Sequence, residues 1–334
     1  MKPLETHIAW TSADVADPRV WTVELTPADH RELDHALNAA KSVSDNLLDL
    51  GREHFPLDGL ARKLEGIERE LIDGRGFMRI SALDAQRYSA DDLTMLYWGI
   101  GLHLGDPWPQ NAKGHVMGDV TDQGKRLDDP TFRGNEFGQV ALDYHTDGAD
   151  LIGLMCLRKA ARGGLSCVAN AVAIYNELVA TRPDLAEVLF APQPYDTRGE
   201  QAPGTKPFYL FPVFTEHKER FFIRFIPAYI RASQRHAEAP RLSPKVLEAL
   251  DTVSAMARDP RFNVYMDLQP GEMQFINNYH VLHGRTSYED APGQKRHLKR
   301  LWLATHYLKD RPAHFRKNVD HHWAQNRSVS RIPA

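Results

Sequence analysis

From His115 onward the chain is written in short apolar runs broken by glycine and proline, and that pattern limits what it can fold into. His115-Val116-Met117-Gly118-Asp119-Val120, Leu151-Ile152-Gly153-Leu154-Met155-Cys156-Leu157 and Gly163-Gly164-Leu165-Ser166-Cys167-Val168-Ala169 are three of them. Residues 207–213, 220–225, 262–268, 272–276 and 297–307 supply the others. Many short strands with turn residues between them predict a sandwich or jelly roll. Helical spacing interrupts the strands over 171–189, 228–236 and 244–257. The first part of the chain reads differently. Thr26 and Pro27 open a helix as cap and first residue, with Leu33, Leu37 and Ala40 recurring on one face. A second helix fits 57–71 and a third, capped by Ser89, fits 90–104, while short strands are expected over 21–25 and 76–80. The expectation is a mainly β fold with α insertions. With no linker and no internal repeat it forms one domain over 1–334: a helical apron over 1–75, a core over 76–307 and a C-terminal surface extension over 308–334.

Composition removes several classes of function. A formal net charge of −3 carries no nucleic-acid footprint and no basic membrane patch. No apolar run reaches the roughly 18 residues of a membrane span, and the first residues lack the apolar core of a signal peptide, so a cytoplasmic location is expected. Two cysteines, Cys156 and Cys167, are too few for a disulfide framework and read as buried small hydrophobes. The triplet Asn326-Arg327-Ser328 matches a glycosylation acceptor, which has no meaning without secretion.

The chemistry concentrates in Tyr144-His145-Thr146-Asp147-Gly148. On a strand, positions i and i+2 share a face, so His145 and Asp147 project together and offer an imidazole and a carboxylate to one metal ion. Gly148 permits a tight turn beside them. A third ligand must come from far away, and Asn278-Tyr279-His280-Val281-Leu282-His283-Gly284-Arg285 offers two histidines. His283 is favoured because a glycine follows it and leaves room for a metal, whereas His280 reads as a surface or outlying histidine. Two histidines and one carboxylate with open positions opposite suit non-haem Fe(II). In Arg296-His297-Leu298-Lys299-Arg300-Leu301-Trp302-Leu303, Arg296, Leu298 and Arg300 share one face. That run is either a charged edge strand or the place where Arg296 offers its fork to a carboxylate, with Ser166 adding a hydroxyl and Arg300 reaching a second anionic group. Arg300, Arg224, Asn135, Tyr144 and Tyr279 are candidates to meet a polar or anionic substrate, and the aromatic residues between 203 and 236 are core or pocket wall.

Together, His145-Thr146-Asp147, Gly163-Gly164-Leu165-Ser166, Val281-Leu282-His283-Gly284-Arg285 and the run from Arg296 to Trp302 resemble the TauD/TfdA-like Fe(II)/2-oxoglutarate-dependent dioxygenases, with a clavaminate-synthase-like flavour. The resemblance spans about residues 76 to 307. It implies a double-stranded β-helix, a distorted jelly roll, with helical insertions over its mouth. It also implies iron ligation by His145, Asp147 and His283, and cosubstrate binding by Arg296 with Ser166, where relatives often carry threonine. Arg300 matches an arginine that relatives use near the cosubstrate or the substrate anion. The implied reaction consumes O2 and 2-oxoglutarate, releases succinate and CO2, and hydroxylates an unactivated C–H of a small polar or carboxylate-bearing molecule. Asp147 favours this over halogenation, because halogenating relatives replace that carboxylate with a small residue. The same site could desaturate, cyclise or epimerise. A jelly-roll binding protein with a vestigial site and a zinc or manganese hydrolase are the readings from other classes. The expected partner is a small molecule, not nucleic acid or a membrane, with a homo-oligomer left open.

Overall fold

Strand Leu151–Arg158 is buried along most of its length, so both of its faces must be covered. It lies inside an eight-stranded sheet. The path runs Thr22–Glu24, Phe77–Ser81, Met273–Asn277, Leu151–Arg158, His297–Ala304, His115–Val120 and Ser328–Val329, with Asp106–Pro107 paired beside His297–Ala304. A four-stranded sheet is ordered Asn263–Met266, Ser166–Asn170, Val281–Arg285 and Leu142–His145. In this computed structural model, residues 2–4, 6–81, 83–124, 140–315 and 326–330 are described.

The chain passes between the sheets repeatedly. Leu142–His145 belongs to the small sheet, Leu151–Arg158 to the large one and Ser166–Asn170 to the small one. Later, Met273–Asn277, Val281–Arg285 and His297–Ala304 alternate in the same way. The face of the large sheet carrying Gln274, Leu154 and Arg300, which sit in register, looks toward the small sheet, because the Ser166 hydroxyl donates to Gln274 Oε1 across the gap. The opposite face is covered by helix Ala90–Leu104. A Cβ at Gly153 would stand 2.5 Å from the Tyr97 hydroxyl and 2.8 Å from the Phe275 ring, so glycine there is what lets the helix settle on the sheet. Tyr97 and Phe275 pack with ring centroids 6.0 Å apart. Buried apolar residues from Trp10 to Phe315 form one continuous cluster.

The helices start where their caps predict. Thr26 with Asp29 and Ser89 with Asp92 each form a reciprocal capping box, opening Pro27–Val43 and Ala90–Leu104. The second helix is Gly59–Asp73. The strand expected over 21–25 is present as Thr22–Glu24, and its parallel pairing with Phe77–Ser81 ties the N-terminal apron into the large sheet. Three expectations need correction. The helix expected over 171–189 is two, Ala171–Thr181 and Pro183–Phe190, because the proline has no N–H for the helix and restricts the residue before it. His297–Ala304 is no edge strand, since it is paired on both sides. The C-terminal segment is no mere surface extension. Arg311 grips the buried Asp150, Phe315 packs on Phe211, Phe222 and Tyr279, and Ser328–Val329 joins the large sheet. Both cysteines are buried and unpaired, as expected.

Asp119 gives the sheet a pH dependence. It is buried on His115–Val120 and accepts from His297 Nε2 at 2.7 Å and Lys299 Nζ at 2.6 Å. Burial pushes its carboxyl up, but those two donors outweigh it and hold the group below the ordinary carboxylate range. A depressed folded pKa adds stability above the unfolded value near 3.9, and that stability is lost as pH falls through the folded value. Asp119→Asn is therefore expected to lower the denaturant midpoint clearly at pH 7, with the gap to wild type closing below about pH 4. Denaturant unfolding of both proteins across that range checks it.

Candidate metal centre

In the small sheet, His145 lies opposite His283 in the antiparallel ladder. Cross-strand neighbours share a face, so the two imidazoles meet, with ring centroids 4.3 Å apart. Between His283 and Arg285 the partner strand advances from His145 to Leu142, one residue more than a regular ladder allows. This is a bulge, of a kind common beside active sites. Next to it, His145 Nδ1 lies 2.8 Å from the Asp143 carbonyl. Donation to that carbonyl puts the proton on Nδ1 and leaves the Nε2 lone pair facing His283 and Asp147.

Asp147 reaches this face by a route other than simple strand alternation. The strand ends at His145, and Asp147 sits in the turn after it. Thr146 anchors the turn: its N–H donates to the Phe225 carbonyl at 2.8 Å, and its hydroxyl accepts from the Phe225 N–H at 2.9 Å. Asn278 clamps it from the other side, accepting from the Asp147 N–H at 2.8 Å and donating to the carbonyls of Asp147 and Ala149 at 2.6 and 2.9 Å. The carboxylate then stands 3.9 Å from His145 Nε2 and 3.8 Å from His283 Nε2. One ligand atom from each of the three residues falls within 4.8 Å of the others, the sole such group of acid, histidine or cysteine side chains among the described residues.

The electrostatics suit a cation. Burial, then the neighbouring His145, push His283 down to about 3, so its imidazole is neutral and free to bind. Burial alone would raise Asp147, but Arg300 foremost, with the Trp302 N–H, brings it down to about 2. Trp302 Nε1 donates to Asp147 Oδ2 at 3.0 Å and Arg300 Nη1 lies 3.4 Å from the same oxygen. Arg300 is itself fixed by Gln110, whose Oε1 accepts from Nε at 2.8 Å. Arg224 Nη1 donates to the Asp147 carbonyl at 3.3 Å.

Arg296 is 5 % exposed and lies against Gly164, to whose carbonyl Nη2 donates at 3.2 Å. Gly164 has φ +71°, and a Cβ there would stand 2.8 Å from Arg296 Nε, so only glycine fits. Tyr288 is stacked under the Arg296 guanidinium at 5.1 Å, with Arg285 at 4.6 Å from the same ring. Burial, then Arg285, push Arg296 down to about 10, which leaves it charged at neutral pH. Its Nη1 is buried with no hydrogen-bond partner among the described residues. A buried, charged donor without an acceptor fits an anionic ligand.

Other candidates lie elsewhere. His280 is buried, not on the surface, and its Nδ1 lies 3.1 Å from Asn277 Nδ2; it takes no part in the trio. Tyr144 points away from His145, its hydroxyl facing Cys167 and Tyr265. Tyr279 is committed to Asp150 Oδ1 at 2.5 Å. Asn135 lies outside the described residues. Trp302, Asn278 and Gln110 join the site without any role expected of them from sequence. Trp302 shares the Arg296–Arg300 face by strand alternation, a signal open to reading, whereas nothing local marks Gln110. If Asn278 holds the turn, Asn278→Ala should weaken divalent-ion binding by about 10- to 100-fold while leaving a cooperative unfolding transition. A chelator-competition titration with Mn(II), paired with thermal unfolding, measures both.

The chain matches the family model described as "Taurine catabolism dioxygenase TauD, TfdA family" over residues 41–302. FR-33289 synthase of Streptomyces rubellomurinus (strain ATCC 31215) is 31 % identical over 313 residues, covering 90 % of each chain. Taurine hydroxylase-like protein SAT17 of Stachybotrys chartarum (strain CBS 109288 / IBT 7711) is 28 % identical, over 89 % of this chain and 79 % of its own. Among solved structures, asparagine oxygenase in complex with Fe(II), 2S,3S-3-hydroxyasparagine and succinate superposes with a TM-score of 0.67 at 18 % identity, covering 88 % of this chain and 97 % of that one. Non-haem iron oxygenase OrfP with Fe and alpha-ketoglutaric acid gives 0.62 at 18 %, over 85 % and 94 %. The solved structures share the fold.

Proposed function

The chain belongs to the TauD, TfdA dioxygenase family, and on that footing we propose that His145, Asp147 and His283 hold its iron while Arg296 receives the distal carboxylate of 2-oxoglutarate. It is an oxidoreductase, a non-haem iron dioxygenase that takes Fe(II), 2-oxoglutarate and O2. The observation that carries the residue assignment is the meeting of three ligand atoms from distant segments within 4.8 Å. The unpartnered Arg296 nitrogen supports the cosubstrate assignment. We read the alternating sheets as one double-stranded β-helix domain over 1–334, with helices 27–43 and 59–73 as its N-terminal apron. Among the described residues no helix is long and apolar enough to cross a membrane, in keeping with a cytoplasmic enzyme acting on a small molecule.

Iron and 2-oxoglutarate, when bound, would supply oxidation by O2, one oxygen atom going into succinate as CO2 leaves and the other into a substrate C–H. The side chains orient and insulate. His145 is fixed by Asp143, and Trp302 with Arg300 engages Asp147 Oδ2, leaving the carboxylate to ligate through one oxygen. Arg296 aligns the diacid by pairing with its far end, while the Ser166 hydroxyl, now on Gln274, lies on the strand that follows Gly164 and can turn toward the same carboxylate. Arg300 and Arg224 border the metal turn on the substrate side, and Leu154, Leu298 and Trp302 give the large sheet's inner face the apolar surface that excludes water.

The reading is tested by anaerobic titration with Fe(II) and 2-oxoglutarate, followed by succinate release under O2. His145→Ala, Asp147→Ala and His283→Ala should each lose the visible charge-transfer band and succinate formation, whereas His280→Ala should keep both. Full activity in any of the first three contradicts the ligand set. Arg296→Gln should raise the KM for 2-oxoglutarate by about 10- to 150-fold, corresponding to about 1.5–3 kcal/mol for a charged hydrogen bond. An unchanged KM moves the anchor elsewhere.

A further inference from the structure

Arg224 is a buried guanidinium beside the metal turn with no acid to balance it. It is 9 % exposed. Its position is fixed from three sides: its N–H donates to the Val213 carbonyl at 2.8 Å, its carbonyl accepts from the Tyr195 hydroxyl at 2.5 Å, and Phe225 after it is bonded to Thr146. The side chain donates to two neutral oxygens, the Asp147 carbonyl at 3.3 Å and the Tyr209 hydroxyl at 3.0 Å, and lies against the rings of Tyr209 and Phe211. Nε is buried and unpartnered. Among the described residues no carboxylate stands within ion-pair distance of it, and the titratable groups facing it are Tyr209, Tyr195 and Tyr279. Burial raises Tyr195 and Tyr279 well above the ordinary phenol value, so neither supplies negative charge.

Arg300 makes an instructive contrast. It stands on the other side of the same aspartate with the carboxylate at 3.4 Å and Gln110 at 2.8 Å, so its charge is met within the protein. A lone buried cation is costly to fold around unless a ligand completes it. Arg224 is also well placed for a ligand. Through Gly148 the metal turn, the Trp302 indole and the guanidinium are close neighbours: a Cβ at 148 would stand 3.1 Å from the indole and 3.8 Å from Arg224 Nη1. Because Tyr209 accepts from Arg224, its own hydroxyl hydrogen remains to donate to an oxygen next to the guanidinium.

We propose that Arg224 and Tyr209 form a receptor for an oxyanion group on the substrate, set beside the metal turn and separate from the Arg296 pocket. The proposal rests on the iron reading above and deepens it, by requiring a substrate that carries a carboxylate or a phosphate-like group. It makes Arg224 a specificity determinant: the anion is anchored there, and the carbon nearest the metal is chosen by its distance from that anchor.

The test uses anaerobic protein loaded with Fe(II) and 2-oxoglutarate, titrated calorimetrically with inorganic phosphate and, separately, with acetate at constant ionic strength. At least one probe should bind wild type. Arg224→Gln should weaken that binding by about tenfold or more, Arg224→Lys by less, and Tyr209→Phe by a few-fold, as expected for lost charged and neutral hydrogen bonds. The charge-transfer band should form in all four proteins once Fe(II) and 2-oxoglutarate are raised to saturate each, and anion affinity is compared between the loaded proteins. A tighter hold on acetate assigns the receptor to carboxylates, and a tighter hold on phosphate assigns it to tetrahedral oxyanions. Equal anion affinity in wild type and Arg224→Gln overturns the proposal, as does a wild type that binds neither probe. If Arg224→Gln loses the band while Arg224→Lys and Tyr209→Phe keep both band and anion affinity, the arginine is structural and the proposal fails. A wild type with no band overturns the iron reading first, and this one with it.

Discussion

The pairing of Leu142–His145 with Val281–Arg285 is the interaction on which the site depends. Antiparallel register sets His145 opposite His283 although about two fifths of the chain separates them in sequence. A slip of one residue would turn one imidazole to the other face and dissolve the centre. The register is held by packing as much as by hydrogen bonds. Gly284 lies so close to its neighbour that an added Cβ would come within 2.7 Å of the Leu142 carbonyl and 3.2 Å of Cys167. Val168 occupies the position opposite His283 on the other side, fully buried.

Charge explains how the rest is arranged around that pairing. One carboxylate, Asp147, stands among two imidazoles and Arg300, with Arg224 on its carbonyl, and Arg296 lies buried against Gly164. Arg300 meets the Asp147 carboxylate, while other acids pair away from Arg224 and Arg296: Asp150 with Arg311 and Tyr279, Asp119 with His297 and Lys299, Asp143 with Arg258. Ligands can therefore supply the missing negative charge. The cost of holding unpaired cations inside the protein is offset by the large apolar cluster that encloses the site.

Much of this was legible in the residues. Helix Ala90–Leu104 follows from Ser89, a cap, and from the apolar run ending at Gly105-Asp106-Pro107. His145, Asp147 and His283 were legible as residue types suited to one metal and through the family resemblance, and the structure brings the three together. What lay hidden depends on contacts between distant segments. Strand alternation was the wrong account of Asp147, which is placed by a turn that Thr146 and Asn278 hold, and neither partnership leaves a mark in local sequence. Tyr144 and Tyr279 looked available because tyrosine at a site mouth commonly binds; burial against Cys167 and a bond to Asp150 commit them elsewhere. The C-terminal segment reads as polar, and only the packed Phe315 and Arg311 reveal that it belongs to the core.

The central claim is that one ion is shared by side chains from the 145–147 turn and from residue 283. Anomalous diffraction at the iron edge, from anaerobic crystals grown with Fe(II) and 2-oxoglutarate, locates that ion directly. The account predicts a single strong peak bounded by His145 Nε2, His283 Nε2 and one Asp147 oxygen, with the diacid running from it toward Arg296. A peak bound to His280, or iron held by only one of the two strands, would contradict it.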